Sequence, residues 1–178
     1  MTAAPGHPAL PRLTLVLGGA RSGKSRHAEA LVTAEAPPWI YIATAQAFDD
    51  EMTERIAHHK ARRAAGWQTL ETTHDLAAVV RQHAGSPAPL LIDCLTLWLS
   101  NVMLAEMNVA AACAELVDAL TSARGPIVAV SNEVGLGIVP DNALARAFRD
   151  AQGRLNQDVA ALADRVILMA AGLPLTLK

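Results

Sequence analysis

Short apolar runs alternate along this chain with longer segments in which apolar residues recur every three or four positions. The short runs are rich in Leu, Ile, Val and Trp, which is typical of strands, whereas the longer spacing is typical of helices that bury one face. Strands are predicted at 13–17, 39–43, 67–71, 90–93, 126–131, 165–170 and 174–177. Because apolar strands alternate with helices, the pattern predicts an α/β protein with a mostly parallel sheet flanked by helices on both faces.

The segments between the strands predict helices, and several of them carry recognisable boundary residues. Pro37-Pro38 ends the first helix, because proline disfavours the α conformation in the residue before it, and Gly66 provides a left-handed cap for the second. Thr73 is predicted to N-cap the third helix, and the fourth is interrupted near Asn108. The predicted ranges are 24–36, 49–65, 74–84, 95–124 and 142–163. The last helix carries one core stripe, formed by Leu144, Phe148, Ala151, Leu155, Val159 and Leu162.

Length, charge and cysteine content exclude several classes of protein. The 178 residues predict one domain at 13–178, after a flexible N-terminal lead-in at 1–12. A net charge of −2 argues against a nucleic-acid partner, and no apolar run of about 18 residues is present to span a membrane. Cys94 and Cys113 lie in apolar segments, which predicts buried, reduced thiols and a cytoplasmic location.

A glycine-rich motif follows the first predicted strand and opens the first predicted helix. The segment fits G-x-x-x-x-G-K-[ST], in which backbone N–H groups cradle phosphates at a helix N-terminus. The lysine of such a motif reaches the β- and γ-phosphates, and the final hydroxyl binds Mg²⁺. The predicted nucleotide-binding residues of this segment are Gly18, Gly19, Ala20, Arg21, Ser22, Gly23, Lys24 and Ser25.

A carboxylate to accompany this motif is expected at the end of an apolar strand. Asp93 ends the run 90–93, and we predict that it holds Mg²⁺ together with Ser25. The alternative is that Asp93 caps the helix that follows it. Neither D-x-x-G after Asp93 nor an [NT]-K-x-D motif is present, which disfavours a GTPase switch.

The predicted helix at 49–65 contains two adjacent histidines that fall on different faces. His59 shares a face with Met52, whereas His58 lies with Glu54 on a charged, solvated face. Basic neighbours disfavour the imidazolium form of His59, and a neutral imidazole is a competent nucleophile toward phosphorus. Two other interpretations stay open: a basic, solvated helix end, and a set of cations that grip phosphate, namely Lys60, Arg62 and Arg63.

Taken together, several segments resemble one enzyme family. They are Gly18 to Arg26, Tyr41 to Thr44, Asp49 to Met52, His58 to Lys60, Ser131 to Pro140, Phe148 to Asp150 and Gly153 to Gln157. This combination resembles the bifunctional adenosylcobinamide kinase/adenosylcobinamide-phosphate guanylyltransferase of cobalamin biosynthesis. The resemblance extends over nearly the whole chain from Leu13 to Lys178.

The resemblance implies two reactions on one scaffold. ATP or GTP phosphorylates adenosylcobinamide, and a histidine, here His59, then takes GMP from GTP and passes it to adenosylcobinamide phosphate. It also implies a RecA-like P-loop NTPase fold and a homotrimer. The nucleotide contacts that it implies, besides the phosphate motif, are Thr44, Ala45, Gln46, Lys60, Ala61, Arg62, Arg63, Glu71 and Asp93.

Two alternative functions and several residues stay open at this stage. The alternatives are a P-loop kinase without a covalent step and a nucleotide-binding regulatory module. Without the resemblance, Glu71 is interpreted as a solvent-facing strand end. The segment Asn132 to Gly137 follows a strand at the edge where ligands of such sheets bind, and is interpreted either as a substrate loop or as a purely structural one. Arg149, Arg154 and Asn156 are predicted to be solvated, with a corrinoid or subunit contact as the alternative.

Overall fold

The computed structural model describes residues 9–46 and 65–178. Seven strands of these ranges form one sheet with the order β3-β2-β4-β5-β1-β6-β7. All neighbouring pairs are parallel except β6 and β7, which run antiparallel. The strands are β1 Leu13–Gly18, β2 Trp39–Ala43, β3 Trp67–Glu71, β4 Leu90–Asp93, β5 Ile127–Asn132, β6 Arg165–Ala170 and β7 Leu173–Thr176. The predicted strands are therefore confirmed to within one residue at each end.

Five helices are present in the described ranges, and most of their predicted bounds hold. They are α1 Lys24–Thr33, α2 Leu76–His83, α3 Leu95–Leu104, α4 Val109–Ser122 and α5 Ala143–Leu162. The predicted interruption near Asn108 is confirmed, because the Asn108 side chain accepts a hydrogen bond from Ala111 N and caps α4. Asn142 caps α5 in the same way. The predicted helix at 49–65 lies almost wholly outside the described residues.

Three details of the helices differ from prediction. The first helix ends at Thr33, three residues early, because the Glu35 carbonyl accepts the Trp39 indole N–H and its carboxylate accepts Leu10 N. Thr73 is not an N-cap: α2 begins after Asp75, and the Thr73 hydroxyl lies 3.0 Å from His74 Nδ1. Leu144 is 58% exposed. Helix α5 has 20 residues and is therefore about 30 Å long, whereas a strand of 6 residues spans about 20 Å. The first turn of α5 therefore extends past the ends of the strands.

The sheet separates two apolar clusters, one on each face. Side chains from α2, α3, α4 and α5 cover one face and pack on Leu13, Leu15 and Leu17 of β1. The helix α1 covers the other face through Ala28 and Val32, which pack with Val16. The predicted sheet with helices on both faces is therefore confirmed. Within the described part of the chain, no helix is long and apolar enough to cross a membrane.

Candidate functional site

The phosphate motif forms a tight turn between β1 and α1. Gly18 and Gly23 have φ values of 155° and 94°, which side-chain-bearing residues rarely adopt. A Cβ on Gly18 would lie 2.6 Å from both the Met169 carbonyl oxygen and the Ser22 hydroxyl, so only glycine fits there. No side chain caps the N-terminus of α1, whose first N–H groups therefore face the turn. This is the geometry of an anion-binding cradle.

Lys24 extends across this cradle. The residue is only 7% exposed, and its Nζ donates a hydrogen bond to the Gly19 carbonyl at 2.5 Å. Burial lowers the pKa of the Lys24 ammonium, and nearby acidic groups including Asp93 oppose that fall. The Ser22 hydroxyl is buried in the same turn and has no hydrogen-bond partner among the described residues. An anion in the turn would satisfy it.

Asp93 lies at the carboxyl end of β4, at the same edge of the sheet as the cradle. Its Oδ2 accepts a hydrogen bond of 2.7 Å from the hydroxyl of Tyr41, which is 3% exposed. The alternative that Asp93 caps the following helix is wrong, since the N-cap of α3 is Cys94, whose Sγ accepts from Leu97 N. Asp93 is therefore held in place by a neighbouring strand rather than by the helix that it precedes.

The oxygen donors at this edge fit Mg²⁺. Mg²⁺ prefers hard oxygen ligands and usually binds through one or two protein groups together with phosphates and water. The Ser25 hydroxyl at the start of α1 and the Asp93 carboxylate are such groups, and both are partly exposed. No cluster of three or more His, Cys, Asp or Glu side chains suited to a metal occurs in ranges 9–46 and 65–178. Two donors of this kind would leave the other coordination positions of Mg²⁺ to phosphate and water.

Thr44 joins two strands at this edge. Its hydroxyl donates to the Cys94 carbonyl at 2.7 Å and accepts from Cys94 N at 2.8 Å. The Thr44 carbonyl accepts from Asn101 Nδ2 at 2.9 Å. Because the residue is fully buried, these contacts give its side chain a structural role. The next residues, Ala45 and Gln46, are progressively more exposed.

Glu71 is exposed and ends β3, the edge strand. Four strand spacings separate β3 from β1, which puts Glu71 on the order of 19 Å from the phosphate cradle. Its predicted nucleotide contact can therefore concern only the nucleoside end of a bound nucleotide. The remaining predicted site residues, His59, Lys60, Ala61, Arg62 and Arg63, lie outside the described residues, and their roles stay predictions.

A buried polar network behind the cradle was not predicted. Asn156 is 7% exposed, so its predicted solvation is wrong. Its Oδ1 accepts from Ser131 Oγ at 2.6 Å and from Gln152 Nε2 at 3.0 Å, and its Nδ2 donates to the Asn132 carbonyl at 3.0 Å. The available signal was the spacing: Gln152 and Asn156 alternate with Leu155 and Val159 at helical intervals and share their buried face.

Of two arginines on the same helix, one matches the solvated interpretation and the other is only partly exposed. Arg154 is exposed, and Arg149 pairs at 3.0 Å with Asp150, its exposed neighbour. The loop after β5 is also exposed at its centre: Leu136 and Ile138 are 88% and 98% accessible. A substrate role for this loop stays a prediction.

The fold and the cradle define the protein as a RecA-like P-loop nucleotide-binding protein. Solved structures with the same fold include the RadB recombinase, at a TM-score of 0.55 and 14% identity over 92% of this chain and 76% of that one. The flagellar accessory protein FlaH from Methanocaldococcus jannaschii has a TM-score of 0.52 at 13% identity, over 95% of this chain and 79% of that one. At such low identity these likenesses establish the fold alone.

Sequence comparison identifies the family. The model of the cobinamide kinase / cobinamide phosphate guanyltransferase family matches residues 14–177. The bifunctional adenosylcobalamin biosynthesis protein CobP of Pseudomonas aeruginosa is 48% identical over 92% of this chain and 96% of its own length. The corresponding protein CobU of Salmonella typhimurium is 41% identical over 93% of this chain and 99% of its own. The chain belongs to this family, and the predicted transferase class is confirmed.

Proposed function

We propose that the protein catalyses two successive reactions on a corrinoid substrate. It phosphorylates adenosylcobinamide with ATP or GTP, and then transfers GMP from GTP to adenosylcobinamide phosphate, giving adenosylcobinamide-GDP and pyrophosphate. The observation that carries the proposal is the family match over residues 14–177 on a chain whose phosphate cradle is intact. The relatives CobP and CobU are described as bifunctional, in agreement with two reactions.

In the first reaction, the corrinoid hydroxyl attacks the γ-phosphorus and loses its proton to solvent, and the bond from that phosphorus to the nucleoside diphosphate breaks. The N–H groups at the start of α1 and the ammonium of Lys24 are placed to bind the negative charge of the phosphates. Ser25 and Asp93 would hold Mg²⁺, which neutralises triphosphate charge when bound. Tyr41 keeps the Asp93 carboxylate oriented through its hydrogen bond.

In the second reaction, we propose that the neutral imidazole of His59 attacks the α-phosphorus of GTP. A P–N bond forms, the bond to pyrophosphate breaks, and the imidazole loses a proton to solvent. A phosphate oxygen of adenosylcobinamide phosphate then attacks the same phosphorus, the P–N bond breaks, and the departing imidazole regains a proton from solvent. The resemblance of the His58-His59-Lys60 segment to the family supports this step, as does the sequence pattern, which predicts that His59 shares a helix face with Met52.

Labelled nucleotides test the covalent step. Purified protein is incubated with GTP labelled at the α- or the γ-phosphorus, denatured, and assayed for bound label. We expect only the α label to stay attached, through an acid-labile phosphoramidate. If neither label stays attached, the result would support the alternative of a P-loop kinase, which transfers the γ-phosphoryl group without a covalent intermediate.

The two histidines provide a matched pair of variants. His59→Ala is expected to abolish the GMP adduct and guanylyl transfer while largely sparing phosphorylation of adenosylcobinamide, because that step uses no histidine nucleophile. His58→Ala is expected to change neither reaction by more than about twofold, because the sequence pattern predicts that this side chain shares a solvated face with Glu54. Mass spectrometry after exposure to GTP, with separate assays of the two reactions, gives the result. An adduct lost only in His58→Ala would reverse the assignment.

We further propose a cytoplasmic homotrimer with no nucleic-acid partner. The family resemblance supports the trimer, and the reduced cysteines and near-neutral charge support the other two statements. Sedimentation equilibrium of the purified protein tests the trimer directly.

A further inference from the structure

The two carboxylate oxygens of Asp93 have different surroundings. Oδ2 accepts a hydrogen bond from the Tyr41 hydroxyl at 2.7 Å, whereas Oδ1 accepts none from any residue in ranges 9–46 and 65–178. An ionised carboxylate can only accept hydrogen bonds, so the phenol is the donor, and bonds from a hydroxyl to a charged oxygen are among the stronger ones in proteins. One oxygen is therefore engaged by the protein, and the other is left for a cation or for a water bound to that cation.

The register of two neighbouring strands directs the Tyr41 hydroxyl toward Asp93. The strands β2 and β4 are parallel, with Tyr41 opposite Leu91 and Ala43 opposite Asp93. Tyr41 and Leu91 both belong to the apolar cluster on the α1 face of the sheet. Because side chains alternate along a strand, Asp93 lies on that face as well. The phenol thus extends along the face toward the carboxyl ends of the strands, where its hydroxyl meets Asp93.

The ring of Tyr41 is held by packing. The residue is almost fully buried, and its ring meets that of Trp67 of β3 edge to face, with ring centroids 5.7 Å apart and an angle of 80° between the planes. Close packing around a buried ring restricts its movement. The hydroxyl therefore fixes Oδ2 in one position, rather than following the carboxylate when it turns.

Asp93 also lies near the phosphate cradle. Its charge acts on the Lys24 ammonium and opposes the fall that burial causes in the pKa of that group. The Lys24 ammonium in turn bonds the Gly19 carbonyl inside the cradle motif. Asp93 is thus held by a fixed hydroxyl from β2 while its charge acts on the lysine of the cradle.

Mg²⁺ and Ca²⁺ differ in how they use a carboxylate. Ca²⁺ takes about 6–8 oxygen ligands at roughly 2.3–2.6 Å in flexible geometry, and binds carboxylates through one or both oxygens. Mg²⁺ requires a nearly ideal octahedron at about 2.0–2.1 Å and usually keeps several waters. A carboxylate that offers a single oxygen therefore meets the needs of Mg²⁺ but gives Ca²⁺ fewer ligands than it can take.

We propose that Tyr41 is a positioning residue that makes Asp93 a one-oxygen ligand and thereby favours Mg²⁺ over Ca²⁺ in the nucleotide site. This inference rests on the proposed function and adds to it a residue that determines cation specificity. Without the hydroxyl, the Asp93 carboxylate can turn and offer both oxygens. Ca²⁺ then gains a ligand, whereas Mg²⁺ gains nothing and loses a preset orientation of Asp93.

Nucleotide binding with each cation tests the inference without the corrinoid. Dissociation constants of GTP with a β,γ-imido bridge are measured by calorimetry in saturating Mg²⁺ or Ca²⁺, for the wild type and Tyr41→Phe. We expect the ratio of the Ca²⁺ value to the Mg²⁺ value to fall at least threefold in Tyr41→Phe, which keeps the ring and removes only the hydroxyl. Trp39→Phe is the control, because it removes an aromatic donor from the same face of β2 at the opposite end, where the indole bonds the Glu35 carbonyl. Its ratio is expected to stay within about 1.5-fold of wild type.

A second measurement follows Tyr41 in the protein with its hydroxyl intact. Tyr41 is the only tyrosine of the chain, so incorporation of fluorotyrosine gives one ¹⁹F resonance. We expect this resonance to move when Mg²⁺ is added to protein that already holds the GTP analogue, because the cation withdraws charge from the carboxylate that accepts the phenol. In Asp93→Asn the same addition is expected to move it less than half as far.

Three results would overturn the inference: an unchanged ratio of dissociation constants in folded Tyr41→Phe, equal weakening with both cations, or a ¹⁹F resonance that does not respond to Mg²⁺. A wild type that binds no nucleotide would instead refute the proposed function, and the cation site with it. Failure of the Tyr41 inference alone is thus recognised by nucleotide binding that is normal in the wild type and equally selective without the hydroxyl.

Discussion

Lys24 combines a positive charge with nearly complete burial. Such a position is costly for an ammonium group, and burial accordingly lowers its pKa. The cost is tolerated because the Gly19 carbonyl and the nearby Asp93 carboxylate favour the charged form. The cradle therefore contains a charged Lys24 side chain that can bind phosphate, and its burial lowers the stability of the fold.

Replacement of Lys24 by alanine is expected to impair both proposed reactions, since we propose that both use the same cradle. We expect at least a hundredfold loss in kinase and in guanylyl-transfer activity, with the far-ultraviolet circular dichroism of the wild type retained. The physical reason is the loss of a charge that, in the proposed site, would contact the β- and γ-phosphates. Guanylyl transfer at a near-normal rate in a folded Lys24→Ala protein would contradict the idea of one shared cradle.

The two cysteines allow a prediction about pH. Burial, and then the Asp93 charge, raise the pKa of Cys94 to about 12, and burial raises that of Cys113 to about 11. The reactive form is the thiolate, so Cys113, which is also less buried, is expected to react with iodoacetamide at least tenfold faster than Cys94 in the folded protein at pH 8.5. Peptide mass spectrometry measures the two rates, and urea-unfolded protein, in which they converge, is the control.

The raised pKa values of the two thiols also determine how the stability of the fold changes with pH. A thiol whose pKa is higher in the folded than in the unfolded state stabilises the fold below the unfolded value. That contribution is present below about pH 9 and is lost as the pH rises toward the values of about 11 and 12. The free energy of unfolding is therefore expected to fall across this alkaline range.

Among the secondary-structure elements, polar contacts join the helices to the edge of the sheet that carries the cradle. Asn101 of α3 bonds the carbonyls of both Thr44 and Thr73, and Asn156 of α5 bonds the end of β5. Both asparagines are buried. Apolar packing holds these helices against the sheet, whereas the amide contacts determine where the loops at its edge begin.

Substitution of Asn156 by alanine tests this role of α5. The change removes bonds to Ser131, Gln152 and Asn132 and leaves buried polar groups without partners. We expect a loss of about 2 kcal/mol in the free energy of unfolding, measured by urea denaturation. Gln157→Ala, an exposed neighbour on the same helix, is the control and is expected to change stability by less than about 0.5 kcal/mol. Equal free energies of unfolding of the two variants would show that the network does not stabilise the fold.

In the molecule as a whole, the ends of β1, β4 and β5 meet at one edge, and ligand binding there is linked to global stability. A nucleotide that binds only the folded state stabilises it by about 2.7 kcal/mol at a hundredfold excess over Kd. For a chain of this length that corresponds to a rise in Tm of roughly 5–10 °C. We expect this rise with GTP and Mg²⁺, a smaller one with GTP and EDTA, and almost none for Lys24→Ala. Differential scanning fluorimetry checks all three, and an equal rise with EDTA would argue against the Mg²⁺ site.

The sequence by itself determined the class of fold and the phosphate cradle. Both depend on local patterns: apolar runs define the strands, and the glycines with Lys24 and Ser25 act within eight consecutive residues. The position of Asp93 at the edge that carries the cradle was also predictable, because a parallel sheet brings the ends of its strands to one edge. The family resemblance added the proposed reactions, which no local pattern specifies.

Only the tertiary structure decided which polar residues are buried and which backbone groups they bind. Asn156 looked solvated because it departs from the most apolar stripe, yet its amide satisfies the end of β5. Thr73 looked like a cap and Leu144 like core, but α2 starts after Asp75 and the first turn of α5 passes the sheet edge. The order of the strands, which places Asn132 between Gly18 and Asp93, depends on contacts between residues far apart in sequence. Periodicity reports the face that a segment buries; the identity of its neighbour is set by packing across the whole chain.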